Sequence, residues 1–261
     1  MNGLFVTGTD TGVGKTALSA LLLAEIRRRK INAAPIKPVQ TGCSEAATGT
    51  RQEALGTSGA SRLTAHGSRF SVPDLDYSLS MANMKVSDEA YSQMASYTFE
   101  PACSPHLAAE LAGTEIDIAE MIIAARTLAS EYEFVVAEGA GGIMVPLNRR
   151  EMMLDLMQAL KLPVLIAARP GLGTINHTLL SIRALRSDGL DIAGVVFVAS
   201  QPGEPGFIEE DNATTIEQFG KVPVLGTIPY CARLAESQPK YTDLPIPVVA
   251  EVEKIVTQLG V

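Results

Sequence analysis

The chain has 261 residues, 46% hydrophobic and 19% charged, which is a globular balance and not a disordered one. Its 21 basic residues face 29 acidic ones, and the resulting net charge of −8 argues against a nucleic-acid partner, whose recognition needs clustered cations. No apolar run reaches the roughly 18 residues of a membrane span, the opening MNGLFVTGTDTG lacks the basic and apolar regions of a signal peptide, and Cys43, Cys103 and Cys231 are too scattered for a disulfide framework, so the expectation is a soluble cytoplasmic protein.

In chain order, residues 3–7 (GLFVT) read as a buried strand entering a Gly/Thr/Asp loop. From Lys15 the spacing of Leu18, Leu21, Leu22 and Ile26 predicts a helix, with basic residues at its negative end. A second strand covers 33–36. Residues 43–75 then turn rich in Gly, Ser, Thr and Ala and read as a long polar insertion with at most one short helix. Helices follow near 75–83, 87–95, 104–112 and 116–130. Strands at 134–137, 162–168, 192–198 and 222–225 alternate with helices at 174–187, 208–219 and 247–259. This alternation predicts an α/β fold, a mostly parallel sheet with helices on both faces, in one domain over residues 1–261.

The strongest motif is Gly8-Thr9-Asp10-Thr11-Gly12-Val13-Gly14-Lys15-Thr16, between the first strand and the first long helix. It departs from G-x-x-x-x-G-K-[ST] only in carrying its first Gly one residue early. Backbone N–H groups of such a loop, with the helix N-terminus behind them, cradle phosphate oxygens. Lys15 would reach the terminal phosphates and the Thr16 hydroxyl would ligate Mg²⁺. A dinucleotide-binding reading is weaker, because no G-x-G-x-x-G follows the strand. The fold expected is therefore P-loop NTPase-like.

Other groups gather at strand ends, where open α/β sheets bind ligands. Lys37, fixed by Pro38, is placed either to meet a transferring phosphoryl group or simply to end a strand. Glu138, before Gly139-Ala140-Gly141-Gly142, occupies the position of a Mg²⁺-linked carboxylate or of a turn cap. Asp10 and Thr11 either cap a local turn or touch the phosphoryl acceptor. Gly173 and Thr174 open a helix whose N–H groups suit a carboxylate, although Thr174 is equally a plain N-cap. None of His66, His106 and His177 has metal or triad spacing, and the cysteines read as structural.

Taken together, GTDTGVGKT at 8–16, KPVQTG at 37–42, EP-x-x-SPH at 100–106, EGAGG at 138–142, LGTINH at 172–177 and GTIPY at 226–230 resemble the dethiobiotin synthetase family, in that family's order. The resemblance implies ATP- and Mg²⁺-dependent carboxylation and ring closure of 7,8-diaminononanoate with CO₂, through a carbamate and a carbamic–phosphoric anhydride, giving dethiobiotin, ADP and phosphate. It also implies a homodimer with substrate at the subunit interface. By that likeness Lys15 and Lys37 are catalytic. Thr11, Gly12, Val13, Gly14, Lys15, Thr16, Glu138, Gly141 and Pro229 contact nucleotide. Thr11, Lys37 and Thr41 meet the carbamate or diamine, and Gly173, Thr174 and Asn176 hold the distant carboxylate. Thr16 and Glu138 share Mg²⁺ with one more carboxylate, for which Asp76 is preferred over Asp74 and Glu53 by its distance from Tyr97-Thr98-Phe99.

Two further departures bear on function. The polar insertion is longer than in compact relatives, and Val198 stands where many relatives carry an adenine-reading Asn. Loss of that amide predicts tolerance of nucleotides other than ATP. Two rivals remain within the same chemistry of phosphate loops. An amidotransferase-type synthetase needs a glutaminase part for which 261 residues leave no room. A ParA/MinD-like switch shares TGVGKT at 11–16, but Asp10 occupies the place of that family's signature Lys, and no basic amphipathic helix is present.

Overall fold

The computed structural model describes residues 1–45, 70–203 and 206–261. The first half runs β1 (Gly3–Gly8), α1 (Lys15–Arg28), β2 (Ala33–Ile36), β3 (Val39–Thr41), β4 (Ser44–Glu45), β5 (Phe70–Ser71), α2 (Pro73–Met81), α3 (Asp88–Met94) and β6 (Tyr97–Phe99). It continues with α4 (Pro105–Leu111), α5 (Ile118–Glu131), β7 (Phe134–Gly142), α6 (Met153–Leu160), β8 (Val164–Ala168) and α7 (Thr174–Ser187). The remaining elements are β9 (Ile192–Val198), α8 (Phe207–Gly220), β10 (Val224–Ile228) and α9 (Ile246–Gln258).

Six of these strands form one parallel sheet in the order β10-β9-β8-β1-β7-β2. Their apolar runs are continuous because helices cover both faces, so residues of either parity are buried. Leu4 and Val6 of β1 join Leu165, Ala167 and the helices α1 and α9 on one side. Phe5 points to the other side, where Val164 and Ile166 meet residues of α5, α6, α7 and α8. The expected two-faced parallel fold is thus present as one domain.

Three differences from the expected elements have physical reasons. The strand expected at 134–137 runs on to Gly142 beside β1, pairing Val6 with Glu138 and Gly8 with Gly142 across a bulge in which Gly141 turns to φ 66°. Helix α6 was not expected, although Met153, Leu156, Met157 and Leu160 recur at helical spacing and are buried. Short β3 and β6 pair in parallel outside the main sheet, through Val39–Tyr97, Gln40–Thr98 and Thr41–Phe99, and were too short to stand out by periodicity. Most of the polar insertion, including Glu53 and His66, lies outside the described residues. Its two ends are held together by the antiparallel pairs Ser44–Ser71 and Glu45–Phe70.

Helix α1 is buried on every side from Leu18 to Ile26, between the sheet, α2 and α9. It therefore buries a charge, Glu25, which is fully enclosed. Arg28 holds both of its oxygens, at 2.7 and 3.1 Å, Arg29 donates to Oε1 at 2.8 Å, and the Tyr241 hydroxyl donates to Oε2 at 3.0 Å. Arg29 also donates to the Val261 carbonyl at 2.6 Å, tying the helix to the C-terminal residue.

Candidate active site

The chain enters the phosphate loop where β1 ends, and α1 begins one residue after Gly14. Gly14 adopts φ 91°, and a Cβ there would lie 2.5 Å from Val198 Cγ1, so only glycine fits between loop and β9. Val198 thus packs on the phosphate loop. Asp10 Oδ1 accepts from the adjacent Thr11 amide at 2.7 Å. Lys15 donates to the Asp10 carbonyl at 2.8 Å and is drawn back along the loop.

The ends of β1, β2, β3 and β7 enclose a cavity of about 770 Å³. It is lined by Thr11, Gly12, Gly14, Lys15 and Thr16 of the phosphate loop, and by Lys37, Thr41, Glu138 and Gly141 from the other motifs. Val13 is buried behind the loop, and Pro229, at the end of β10, is outside the lining. Ala102 to Pro105, from EP-x-x-SPH, form a wall, so that Cys103, expected to be structural, borders the cavity. Burial pushes the neighbouring Cys43 thiol up to about 11. His106 and His177 do not line the cavity.

At its floor lies a compact charge cluster. Lys37, 4% exposed, is held at the end of β2 by its amide, which donates to the Met94 carbonyl at 2.7 Å. Its Nζ lies 2.7 Å from Asp74 Oδ2 and 2.7 Å from Glu138 Oε1. The Thr16 hydroxyl donates to Glu138 Oε1 at 2.9 Å. Asp74 is further engaged by Gln40 and Thr16. Burial opposes the ammonium of Lys37, but Glu138 and Asp74 outweigh it and hold the pKa above the ordinary lysine value. At Glu138, by contrast, burial prevails and raises the pKa despite Lys37, whereas at Asp74 the Lys37 and hydrogen-bond contacts outweigh burial and lower it. Burial lowers Lys15, with Lys37 pushing the same way against Glu138.

The preference for Asp76 over Asp74 is reversed. Pro73 opens α2 at its first position, and residues two apart on a helix point about 200° from one another, so only one of the two carboxylates can face the cleft. Asp74 does. Asp76 accepts from Ser71 Oγ at 2.7 Å and from the Tyr91 hydroxyl at 2.8 Å, which closes α2 onto its neighbours. Gln40, which the sequence reading left without a role, also lines the cavity. Its place between Lys37 and Thr41 on a strand end was the available signal.

The second predicted anion site is separate. Gly173 is the N-cap of α7 in the left-handed region, at φ 92°, and Thr174 is not the cap: its hydroxyl is buried 3.3 Å from that of Thr178. Gly173 and Asn176 are exposed, and none of the three lines the cavity. Leu172 beside them is 95% exposed.

Thr16 Oγ1, Asp74 and Glu138 form a small set of hard oxygen donors, fitting Mg²⁺, which takes one or two carboxylates and completes its shell with water and phosphate. Among the described residues no cluster of three or more His, Cys, Asp or Glu offers an all-protein metal cage. No helix among them is long and apolar enough to cross a membrane.

Residues 2–238 match the AAA domain family. Among solved structures, the MinC:MinD cell division complex of Aquifex aeolicus superposes with a TM-score of 0.60 at 14% identity, covering 100% of this chain and 96% of that one. The Pyrococcus furiosus cell division ATPase MinD gives 0.59 at 14%, covering 100% and 99%. At such identities these show a shared fold only. Curated relatives are nearer. The ATP-dependent dethiobiotin synthetase BioD of Anaeromyxobacter sp. (strain K) is 41% identical over 241 residues, 91% of this chain and 95% of the relative. That of Pseudomonas paraeruginosa is 39% identical, covering 92% and 93%, and that of Anoxybacillus flavithermus 35%, covering 91% and 96%. Likeness of this degree, end to end, decides membership: the chain belongs to the ATP-dependent dethiobiotin synthetase family.

Proposed function

We propose that the cavity carries out the ATP-dependent closure of a cyclic urea, converting 7,8-diaminononanoate, CO₂ and ATP into dethiobiotin, ADP and phosphate. The observation that carries this reading is Lys37, a protonated lysine buried at the cavity floor within reach of the phosphate loop. One amine of the diamine takes up CO₂ as a carbamate, and a carbamate oxygen attacks the γ-phosphorus of ATP, releasing ADP. The second amine then attacks the carbamate carbon and expels phosphate, closing the ring. No strong acid or base is demanded, in keeping with a cavity that no histidine lines among the described residues.

The chain supplies position and charge. Gly12, Val13 and Gly14 present backbone N–H groups to the phosphates, and Lys15 leaves the Asp10 carbonyl to neutralise them. Lys37 pairs with the carbamate, and Thr11 and Thr41 border the diamine end. Thr16, Asp74 and Glu138 would hold Mg²⁺, which would supply charge neutralisation to the phosphates.

The N-terminus of α7, at Gly173 and Thr174, and the Asn176 amide suit the substrate's carboxylate. They lie outside the cavity of their own chain, beside the exposed Leu172, which supports a homodimer in which this patch completes a site across the interface.

The test is phosphate release by the purified protein with Mg²⁺–ATP, omitting the diamine or bicarbonate in turn, with the product weighed. Release is expected only with both, one phosphate per ring, and Lys37→Ala is expected to lower kcat by about 100-fold or more. Robust ATP hydrolysis without the diamine and no ring product would instead support the partner-regulated switch.

A further inference from the structure

The place of a cation between Asp74 and Glu138 is taken by the chain itself. Lys37 Nζ meets Asp74 Oδ2 and Glu138 Oε1 at 2.7 Å each and the Gly139 carbonyl at 3.3 Å. Three acceptors use all three ammonium protons. The same carboxylates, with Thr16, are those assigned above to Mg²⁺, and this inference rests on that reading. A Mg²⁺ ion sits about 2 Å from a ligating carboxylate oxygen, inside the space that the ammonium now fills. Like charges so close together in a buried site repel strongly. We propose that Lys37 is the resident counter-ion of the nucleotide-free site, and that entry of the metal–nucleotide displaces its Nζ into the cavity, where it becomes free to pair with the carbamate.

The surroundings make the side chain the moving part. The Lys37 amide is pinned to Met94, Pro38 follows, and the Pro38 carbonyl accepts from the Tyr97 amide at 3.0 Å, so the backbone is fixed on both sides. Beneath the ion pair Ser19, Leu75 and Ser78 line a void of only about 10 Å³, too small to receive an ammonium and its methylenes. The open direction is the cavity, toward Thr11 and Thr41. Displacement in that direction couples the two halves of the reaction: Nζ pairs more readily with the carbamate when the metal–nucleotide occupies the two carboxylates. By linkage, a bound carbamate that retains Nζ in the cavity raises affinity for the metal–nucleotide by the same factor.

The test is Mn²⁺ binding to the nucleotide-free protein, followed by electron paramagnetic resonance. Lys37→Met and Lys37→Gln leave two close carboxylates without a counter-ion and are expected to bind Mn²⁺ about tenfold or more tightly than the wild type, the scale on which a neighbouring charge acts. Lys37→Arg keeps the charge and is expected to stay near wild type. Equal Mn²⁺ affinity in the wild type and both neutral variants would overturn the proposal. Should the neutral variants not fold, a crystal structure of the wild type with Mg²⁺ and a non-hydrolysable ATP analogue decides: Nζ beyond about 4 Å from both carboxylates is expected, and a retained bridge would overturn it. Failure of the underlying reading looks different. In that case Mn²⁺ would not bind even with ATP present, and Thr16→Ala and Asp74→Asn would behave as wild type.

Discussion

Asp74 and Asp76 differ by two positions and by everything that matters chemically. Asp74 faces Lys37 across the cavity floor, whereas Asp76 is spent on Ser71 and Tyr91. Asp74→Asn is expected to lower kcat by about 100-fold and raise the Mg²⁺ concentration needed for activity. Asp76→Asn is expected to leave kcat within about threefold of wild type and to lower stability by roughly 1 kcal/mol through its lost hydrogen bonds. Steady-state kinetics with a Mg²⁺ titration, alongside urea melts, separates the two. Most of the site was legible at this scale: Lys15, Thr16, Lys37 and Glu138 stand in local motifs, each at a strand end. Asp74 was not, because sequence distance to Tyr97 measures chain length and not direction. Pro73, by setting the start of α2, sets which carboxylate points inward.

Among the elements, α1 carries both the phosphate loop and the buried Glu25 network, so site and stability share one helix. Glu25 is a carboxylate whose pKa is lowered in the folded chain: burial opposes its charge, but Arg28, Arg29 and Tyr241 outweigh that. Its contribution to stability is therefore complete above the ordinary carboxylate value and is lost as pH falls through the lower folded-state value. Glu25→Ala, which strands two arginines, is expected to cost about 3–5 kcal/mol at pH 7. That deficit is expected to shrink as pH falls below about 4, as measured by urea unfolding at a series of pH values. A deficit that is unchanged at low pH would contradict the ionised reading. Elements long enough to show a period, such as α1, α7 and α9, were legible from spacing. The continuation of β7 through EGAGG was not, since its glycines read as a loop, and the strand resumes its pairing with β1 at Gly142 only after a bulge at Gly141.

In the whole molecule, two helical layers on one parallel sheet bring five separated segments to a single edge. The N-terminus of α7 remains outside that cavity, beside the exposed Leu172. Leu172→Glu is expected to convert a dimer to a monomer in light scattering and to raise KM for the diamine about tenfold or more while leaving the fold intact. A monomeric wild type with unaltered KM in the variant would contradict a shared site. If the cavity phosphorylates a carbamate, as proposed, the path of one oxygen reveals it. With ¹⁸O-labelled bicarbonate, the oxygen that attacks the γ-phosphorus departs with it when the second amine closes the ring. One ¹⁸O is expected in each phosphate released alongside dethiobiotin. Unlabelled phosphate, formed whether or not the diamine is present, would contradict it.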